Sequence, residues 1–383
     1  MKVAYYSNVF FSDCDFPLVK EMLNQNVDVT YFVNVYEGRD SGGLFSSISY
    51  PRLGIHKAND IPEYRFYRDF IDLDNIYIII RSKRWYNIVN LWIMIKLFLF
   101  LWKKRINVLH LTYELGISEF LLYFYPQSKV MTVHDPFTHS GEGSSYGELK
   151  RKFAFRHIDK FVLLNNNQKK TFASLYNVGK RPVLINKLGK YSCLNYVRSI
   201  MQMSPIYGKN YVLFCGHFSP YKGIDLLCRA MEKVHELAPE IECIIAGRGI
   251  LNFDVKCYDN VGYIKIINKF LSLEELVNLI SNSKFVVCPY KDATQSGVVA
   301  SAFSLNKPVL ATNVGGLSET VKDNVNGRLI SPNNVEELAT AICEMYNSPD
   351  KLRLYKDNIE KFFSSGEYSW PVIAQKYIEY YNE

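Results

Sequence analysis

The chain has 383 residues, of which 48% are hydrophobic and 22% charged, with a formal net charge of +7. A single hydrophobic core stops growing at about 250–300 residues, so two domains are expected, and this ordinary globular usage excludes a chain dominated by disorder. The basic excess lies in short clusters without a recognition motif. That argues against a dedicated nucleic-acid binder and for a phosphate-bearing small molecule or an acidic lipid surface as the anionic partner.

The first third alternates strand and helix signals. Residues 3–9 (VAYYSNV) read as a strand. Asp15 and Pro17 then predict a helix start, with Asp15 as cap and Pro17 in the first turn, leading into residues 16–25. Residues 27–35 (VDVTYFVNV) have the β-branched and aromatic content of a second strand. A polar stretch at 38–43 and an aromatic, basic region near Arg65 to Arg84 follow. An apolar helix near 88–102 precedes strands at 106–113 and 129–136, the latter ending at His134 and Asp135; residues 160–166 and 181–189 continue the alternation. Residues 191–209 carry little periodicity and end in Pro and Gly, so the hinge is placed there.

The second half repeats the pattern more cleanly. Strands are predicted at 211–216, 241–247, 284–290 and 307–312. Helices are predicted at 223–238, at 272–282 with Ser272 as cap, at 297–306, from Ser318 or Glu319, and at 335–346. Residues 368–383 read as a terminal helix. Strand–helix–strand repetition of this kind predicts an α/β protein with parallel sheets covered by helices. The expected domains are residues 1–200, joined by the terminal helix from about 366, and residues 201–365.

None of the eight cysteines forms a Cys-x-x-Cys pair, so they read as small buried hydrophobes in a reducing cytoplasm, and no bound metal is expected. Met1-Lys2 leads straight into an apolar segment without a basic leader region, so no signal peptide is expected. The apolar stretch Leu91 to Trp102 is interrupted by Lys96 and falls short of the ~20 residues that span a bilayer. Basic clusters at Arg81–Arg84 and Lys103–Arg105 flank it. Two readings stay open: a helix packed on the sheet with solvated ends, or peripheral contact with an anionic membrane. Asp72-Leu73-Asp74 matches an Asp-x-Asp metal pattern but reads as a loop before a strand.

In open parallel sheets, ligands bind beyond the carboxyl ends of the strands, where helix N-termini offer free N–H groups to phosphates. Four junctions in the second half have that character. Gly216 to Gly223 (GHFSPYKG) joins a glycine that lets the backbone approach a ligand to His217 and Lys222, which can set positive charge on a diphosphate. Ala246-Gly247-Arg248-Gly249 is alone no more than a tight turn. Cys288 to Val298 (CPYKDATQSGV) carries small residues, Gln295 and Ser296 into a helix start at Gly297; the alternative is a plain Ser/Thr cap. Asn313 to Glu319 (NVGGLSE) pairs two glycines after a strand.

Taken in this order and spacing, FCGHFSPYKGIDLL, CIIAGRG, FVVCPYKDATQSGVVASAF, NKPVLATNVGGLSETV and DNVNGRLISP resemble the glycosyltransferase family 4 branch of the GT-B fold, the glycosyl transferases group 1 domain. The resemblance covers about Tyr211 to Ala341, with looser likeness in KVMTVHDPFTHSGE, KFVLLNNNQKK and the terminal helix. It implies two Rossmann-like doubly wound lobes facing across a cleft, and retaining, metal-independent transfer of a sugar from a nucleotide diphosphate to a glycan or lipid-linked acceptor. No cofactor beyond the nucleotide-sugar donor is implied. His134, His217 and Lys222 are then the expected catalytic residues, with His217 standing where the family usually has Arg. The segment Asn268, Lys269 and Phe270 is expected at the base. Gly216, Gly247, Gln295, Ser296, Gly297 and Val298 are expected around phosphate and sugar.

One departure stands out. The family often carries a Glu-x7-Glu pair in the third junction, and here those positions are Ala293 and Ser301. Ser301 is kept as a donor-binding candidate, with Gln295 or Asp292 as partial substitutes. The missing pair motivates a second expectation, a non-catalytic auxiliary subunit; a nucleotide-sugar epimerase on the same fold is a third. An NAD oxidoreductase is disfavoured, since no G-x-G-x-x-G follows the first strand.

Overall fold

The computed structural model describes residues 1–38, 43–45, 50–136, 145–201, 204–258 and 260–383. The chain divides into two compact units: Met1–Gly189 with Glu367–Glu383, and Lys190–Gly366.

The first unit is built on strands β1 (Lys2–Asn8), β2 (Asp28–Tyr36), β3 (Gly54–Lys57), β4 (Ile76–Arg81), β5 (Val108–Leu111), β6 (Ser128–Val133), β7 (Lys160–Leu163) and β8 (Val183–Ile185). Their order in the sheet is β3-β4-β2-β1-β5-β6-β7-β8, and only the edge pair β3–β4 is antiparallel. Helix Ile88–Lys104 covers this sheet with Ile93, Met94, Leu97 and Leu101, one helical stripe, which packs with Tyr6, Phe32 and Leu109. The described residues contain no helix long and apolar enough to cross a membrane.

Two local readings are corrected. The first helix runs Ser12–Asn24, so Asp15 and Pro17 lie inside it rather than at its start. Asp15 does not cap the helix. It turns inward and accepts hydrogen bonds from Tyr5, Ser7 and Tyr31. Burial pushes its carboxyl up to about 7 against those three bonds, which favour the charged form. The segment read as weakly periodic contains a helix, Ser192–Ile200, with Cys193, Leu194 and Val197 buried; it packs on helices Leu273–Asn282 and Gly297–Ser304 and so belongs to the second unit.

The terminal helix Trp370–Asn382 returns to the first unit and packs on Ser12–Asn24. Its tyrosines form a buried polar seam. Tyr381 Oη meets His110 Nδ1, Thr132 Oγ1 meets His110 Nε2 at 2.9 Å, and Tyr377 Oη meets Thr132 Oγ1 at 2.9 Å. Burial, helped by the positive form of His134, lowers the His110 pKa from 6.5 to about 3. A depressed folded-state pKa contributes stability that is complete above the unfolded value and is lost as pH falls. All four tryptophans lie in the first unit, so their fluorescence follows its unfolding. Between about pH 6.5 and 3, His110→Gln is expected to flatten the loss of stability by up to about 1.4 kcal/mol per pH unit relative to wild type. His134 acts in the same sense and Asp15 in the opposite one, so the difference between the two proteins is the quantity to read; parallel profiles would contradict the assignment.

The second unit holds β9 (Val212–Cys215), β10 (Cys243–Gly247), β11 (Ile264–Asn268), β12 (Phe285–Cys288), β13 (Val309–Thr312) and β14 (Gly327–Ile330) in the order β11-β10-β9-β12-β13-β14, all parallel. Such strands are covered on both faces and read as unbroken apolar runs, as VLFC and FVVC do. Ser272 caps helix Leu273–Asn282 in a reciprocal box with Glu275. The direction of winding reverses between β9 and β12, and that reversal marks where a ligand crevice opens at the carboxyl ends.

Candidate active site

The loops after β9 and β12 meet at that reversal. The Lys291 N–H donates to the Tyr221 carbonyl at 2.7 Å. Gly223 sits at φ 67°, and a Cβ there would fall 2.0 Å from the Pro289 carbonyl oxygen, so only glycine allows the two loops to touch. Lys222, the last residue of a 3-10 turn at Pro220–Lys222, holds its Nζ 3.8 Å from the ring centre of Tyr290 and 4.9 Å from that of Tyr221. Tyr290 is fully buried, and its carbonyl accepts from Thr312 Oγ1 at 2.5 Å. An ammonium held over a fixed aromatic face is a positioned charge. It reaches the strand ends electrically: burial pushes the Cys288 thiol up to about 11, and Lys222 is among the groups pulling it back.

Helix Gly297–Ser304 begins beside this charge. Ser296 Oγ accepts from the Val299 N–H at 3.4 Å, and the turn opens at Gly297 and Val298. The first amides of a helix have no partner inside it, and they carry the positive end of its dipole. A Cβ on Gly216 would lie 3.0 Å from Val298 Cγ2, so the loop after β9 and this helix start face each other. Gly216, Lys222 and the Gln295–Val298 turn are thus gathered at one carboxyl end. A cation and a helix N-terminus so placed suit a diphosphate.

The remaining carboxyl-end loops are laced to these. The Gly216 N–H donates to the Ala246 carbonyl, and Phe218 pairs with Gly249 beside exposed His217. A cavity of about 280 Å³ opens among Ser219, Asp225, Ile250, Phe253 and Lys291. Lys291 and Asp225 form an ion pair of 2.9 Å on its wall. Among the described residues, Ser219 Oγ is buried without a hydrogen-bond partner.

In the first unit, His134 follows β6 and stacks on Phe11, ring centres 4.1 Å apart and planes at 12°. Burial lowers its pKa to about 4, partly opposed by Asp135, so its imidazole is neutral near pH 7. It can offer a hydrogen bond there but no charge. A cleft of about 110 Å³ joins it to Thr112, Glu114, Asp135 and Arg151, with Arg151 paired to Glu114 at 2.8 Å. His139, Gly141, Glu142 and Gly143, noted beside His134 in the sequence, lie outside the described residues.

The sequence pattern of the glycosyl transferases group 1 family matches residues 198–362. The second unit belongs to that family. Among curated relatives, an uncharacterized glycosyltransferase of Methanocaldococcus jannaschii is 27% identical over 63% of this chain, which spans 64% of that relative's length. Among solved structures, sucrose-phosphate synthase from Thermosynechococcus elongatus matches 100% of this chain and 98% of its own at 15% identity, with a TM-score of 0.67. HepE of Anabaena in complex with UDP-glucose matches 100% and 99% at 15% identity, with a TM-score of 0.66. The whole chain therefore has the GT-B fold.

Within the group 1 domain, Asn268, Lys269 and Ser301 make bonds of their own. Both the N–H and the carbonyl of Gly249 bond to the Asn268 amide, at 3.2 and 3.1 Å. Lys269 donates its N–H to the Gly247 carbonyl, and its Nζ pairs with Glu275 at 2.6 Å, while Phe270 is exposed. Ser301 donates to the Gly297 carbonyl at 2.8 Å, inside its own helix. Ala293 is buried, and its carbonyl accepts from the Gly316 N–H. Tyr290, Ser219 and the Asp225–Lys291 pair were not singled out from sequence, nor were Phe11 and Arg151 in the first unit. The nearest signal was the apolar Ile250-Leu251 stranded in a polar loop. Among the described residues, no group of three or more His, Cys, Asp or Glu could hold a metal ion. Asp72 and Asp74 are spent on local bonds to the Asp74 N–H and the Asn59 amide.

Proposed function

We propose that the protein is a retaining, metal-independent glycosyltransferase that moves a sugar from a nucleotide diphosphate sugar to a glycan or glycolipid acceptor in surface polysaccharide synthesis. The carrying observation is the Lys222 ammonium, set over Tyr290 beside the start of helix Gly297–Ser304. Negative charge develops on the departing diphosphate, and a fixed cation with free amides stabilises it without reorganisation. UDP-glucose in the HepE structure supports a UDP-sugar as the first donor to try. His134 and His217 are assigned to the sugar and the diphosphate. We read the protein as cytoplasmic, and peripheral contact with the inner face of the membrane is the open alternative to a helix packed on the sheet with solvated ends.

Thermal unfolding with UDP-, GDP- and ADP-sugars tests this. One of them, at about 100 times its dissociation constant, is expected to stabilise the second unit by about 2.7 kcal/mol. No shift with any donor would overturn the reading. A second reading, a non-catalytic subunit, is favoured by Ala293 and Ser301, since neither side chain can supply a carboxylate. Slow donor hydrolysis that depends on Lys222 separates the two: the transferase shows it and the subunit does not.

A further inference from the structure

We infer that the first unit seats the hydrocarbon chain of a phosphate-headed lipid in a groove between the 3-10 helix Ile117–Phe124 and the helix Ser145–Arg156. That this lipid carries the acceptor rests on the transferase reading; the binding site itself does not. The groove encloses about 660 Å³, within the range of small-molecule sites, and its walls are mostly apolar. Ile117, Phe120, Leu149 and Phe153 line it, and they are 53%, 43%, 68% and 45% exposed. A contiguous apolar surface of this kind on a water-facing side marks a binding site rather than a core.

Charge selects the occupant. Lys150, Lys152 and Arg156 line the groove too, and among the described residues no Asp or Glu does. Among the described residues none of these three cations forms an ion pair, whereas Arg151 of the same helix is spent on Glu114 and Glu148. Three uncompensated cations around an apolar trough match one anionic head on one apolar tail. An uncharged apolar ligand would leave those charges unmatched.

Position gives the occupant a use. Thr112, Tyr113, Glu114 and Arg151 line the cleft that holds His134, while Leu115, Gly116, Lys150 and Lys152 line the groove. The two are consecutive along both chain segments. A tail in the groove therefore brings its head to the carboxyl-end cleft. The neighbouring helix Ile88–Lys104 packs on Ile117–Phe124 and exposes Trp92, Leu99 and Trp102, side chains suited to a lipid–water boundary.

Farnesyl phosphate, farnesol and inorganic phosphate, titrated separately into the full chain, test the proposal. Farnesyl phosphate is expected to bind saturably, farnesol about tenfold more weakly, and phosphate alone not measurably. Leu149→Asp combined with Phe153→Asp is expected to weaken farnesyl phosphate at least tenfold. Leu149 is 68% exposed and Phe153 45%, with Phe153 also touching Tyr123 and His157, so Leu149→Asp alone is the control whose unfolding temperature should stay near wild type. Lys150→Ala, Lys152→Ala and Arg156→Ala together are expected to weaken farnesyl phosphate about tenfold and leave farnesol unchanged. Equal affinity in wild type and the Leu149/Phe153 variant, or farnesyl phosphate binding no tighter than phosphate, overturns the site. Donor-induced stabilisation of the same preparations reports on the donor site and not on the groove, so failure of the groove and failure of the transferase reading are told apart.

Discussion

Lys222→Ala is expected to lower turnover by about 10²–10³-fold at saturating donor, with a smaller loss in donor affinity. The unequal losses follow from where charge changes. The bound donor already carries a diphosphate, but breaking the sugar–oxygen bond adds negative charge to the leaving oxygen. A group that helps more after cleavage than before it acts on kcat rather than on binding. Lys222 is suited to this because its position is fixed: the 3-10 turn sets its backbone, and its ammonium lies over the faces of Tyr290 and Tyr221. The side chain is half-buried and stands in a three-residue 3-10 turn, outside the strands of the sheet, so the unfolding temperature should stay near wild type. Lys222→Arg keeps the charge but spreads it over a planar fork, and should recover part of the rate. Tyr290→Leu, which removes the face beneath the ammonium, should cost less than Lys222→Ala, by about the 0.5–2 kcal/mol of a cation–π contact. Initial rates of donor hydrolysis and of transfer, each at saturation, measure all three. Wild-type turnover in Lys222→Ala would remove the diphosphate assignment.

The second unit was the more legible half for a physical reason. A parallel strand buried on both faces must be apolar throughout, so VLFC, CIIAG, FVVC and VLAT announce themselves, and each is followed by the junction that builds the site. Lys222, Gly216 and the Gln295–Val298 turn could be found because each lies next to its strand in sequence. Tyr290 lies just as close to its strand, yet its role was hidden, because that role is to sit beneath a lysine on another loop. The Phe11–His134 stack is hidden in the same way by sequence distance. In the first unit, a local rule gave way to tertiary structure. Asp15 has the residue type and spacing of a cap, but Tyr5 and Ser7 on β1 and Tyr31 on β2 draw it inward, a competition no window of ten residues displays. Helix Ser192–Ile200 is only about two turns long, with three buried residues, and leaves too short a period to detect. The four-residue edge strand β3 has three half-buried residues followed by an exposed one, so it shows no alternation to detect.

Glu119→Gln is expected to destabilise the first unit by about 3–5 kcal/mol, since it leaves Arg81 as a buried, uncompensated charge. Both side chains are fully buried, and the pair closes at 2.9 Å. Each partner also makes three further hydrogen bonds. Arg81 donates to Asn34 at 2.7 Å, Ser118 at 2.6 Å and the Tyr36 hydroxyl at 2.8 Å; Glu119 accepts from Tyr6 at 2.7 Å, Tyr113 at 2.5 Å and the Gly116 N–H at 2.9 Å. Burial alone would raise the Glu119 pKa, but Arg81 together with the donors from Tyr113, Tyr6 and Gly116 outweighs it and holds the carboxyl below its usual range. Arg81→Met should cost less than Glu119→Gln, because the carboxylate keeps three donors and can take up a proton, whereas the guanidinium cannot shed one. Replacing both, as Arg81→Met with Glu119→Leu, should be milder than either single change, since it removes the charges rather than orphaning one. For a unit of this size, about 2–4 °C per kcal/mol converts the Glu119→Gln cost to a fall of roughly 6–20 °C in the tryptophan-detected transition. The depressed pKa also sets a direction with pH: the contribution of Glu119 is complete above the ordinary value of 4.5 and is lost as pH falls, so the gap between wild type and Glu119→Gln should narrow on acidification. A gap that stays constant to low pH, or a double variant no better than Glu119→Gln, would mean that packing around these atoms, rather than their mutual charge, carries the stability.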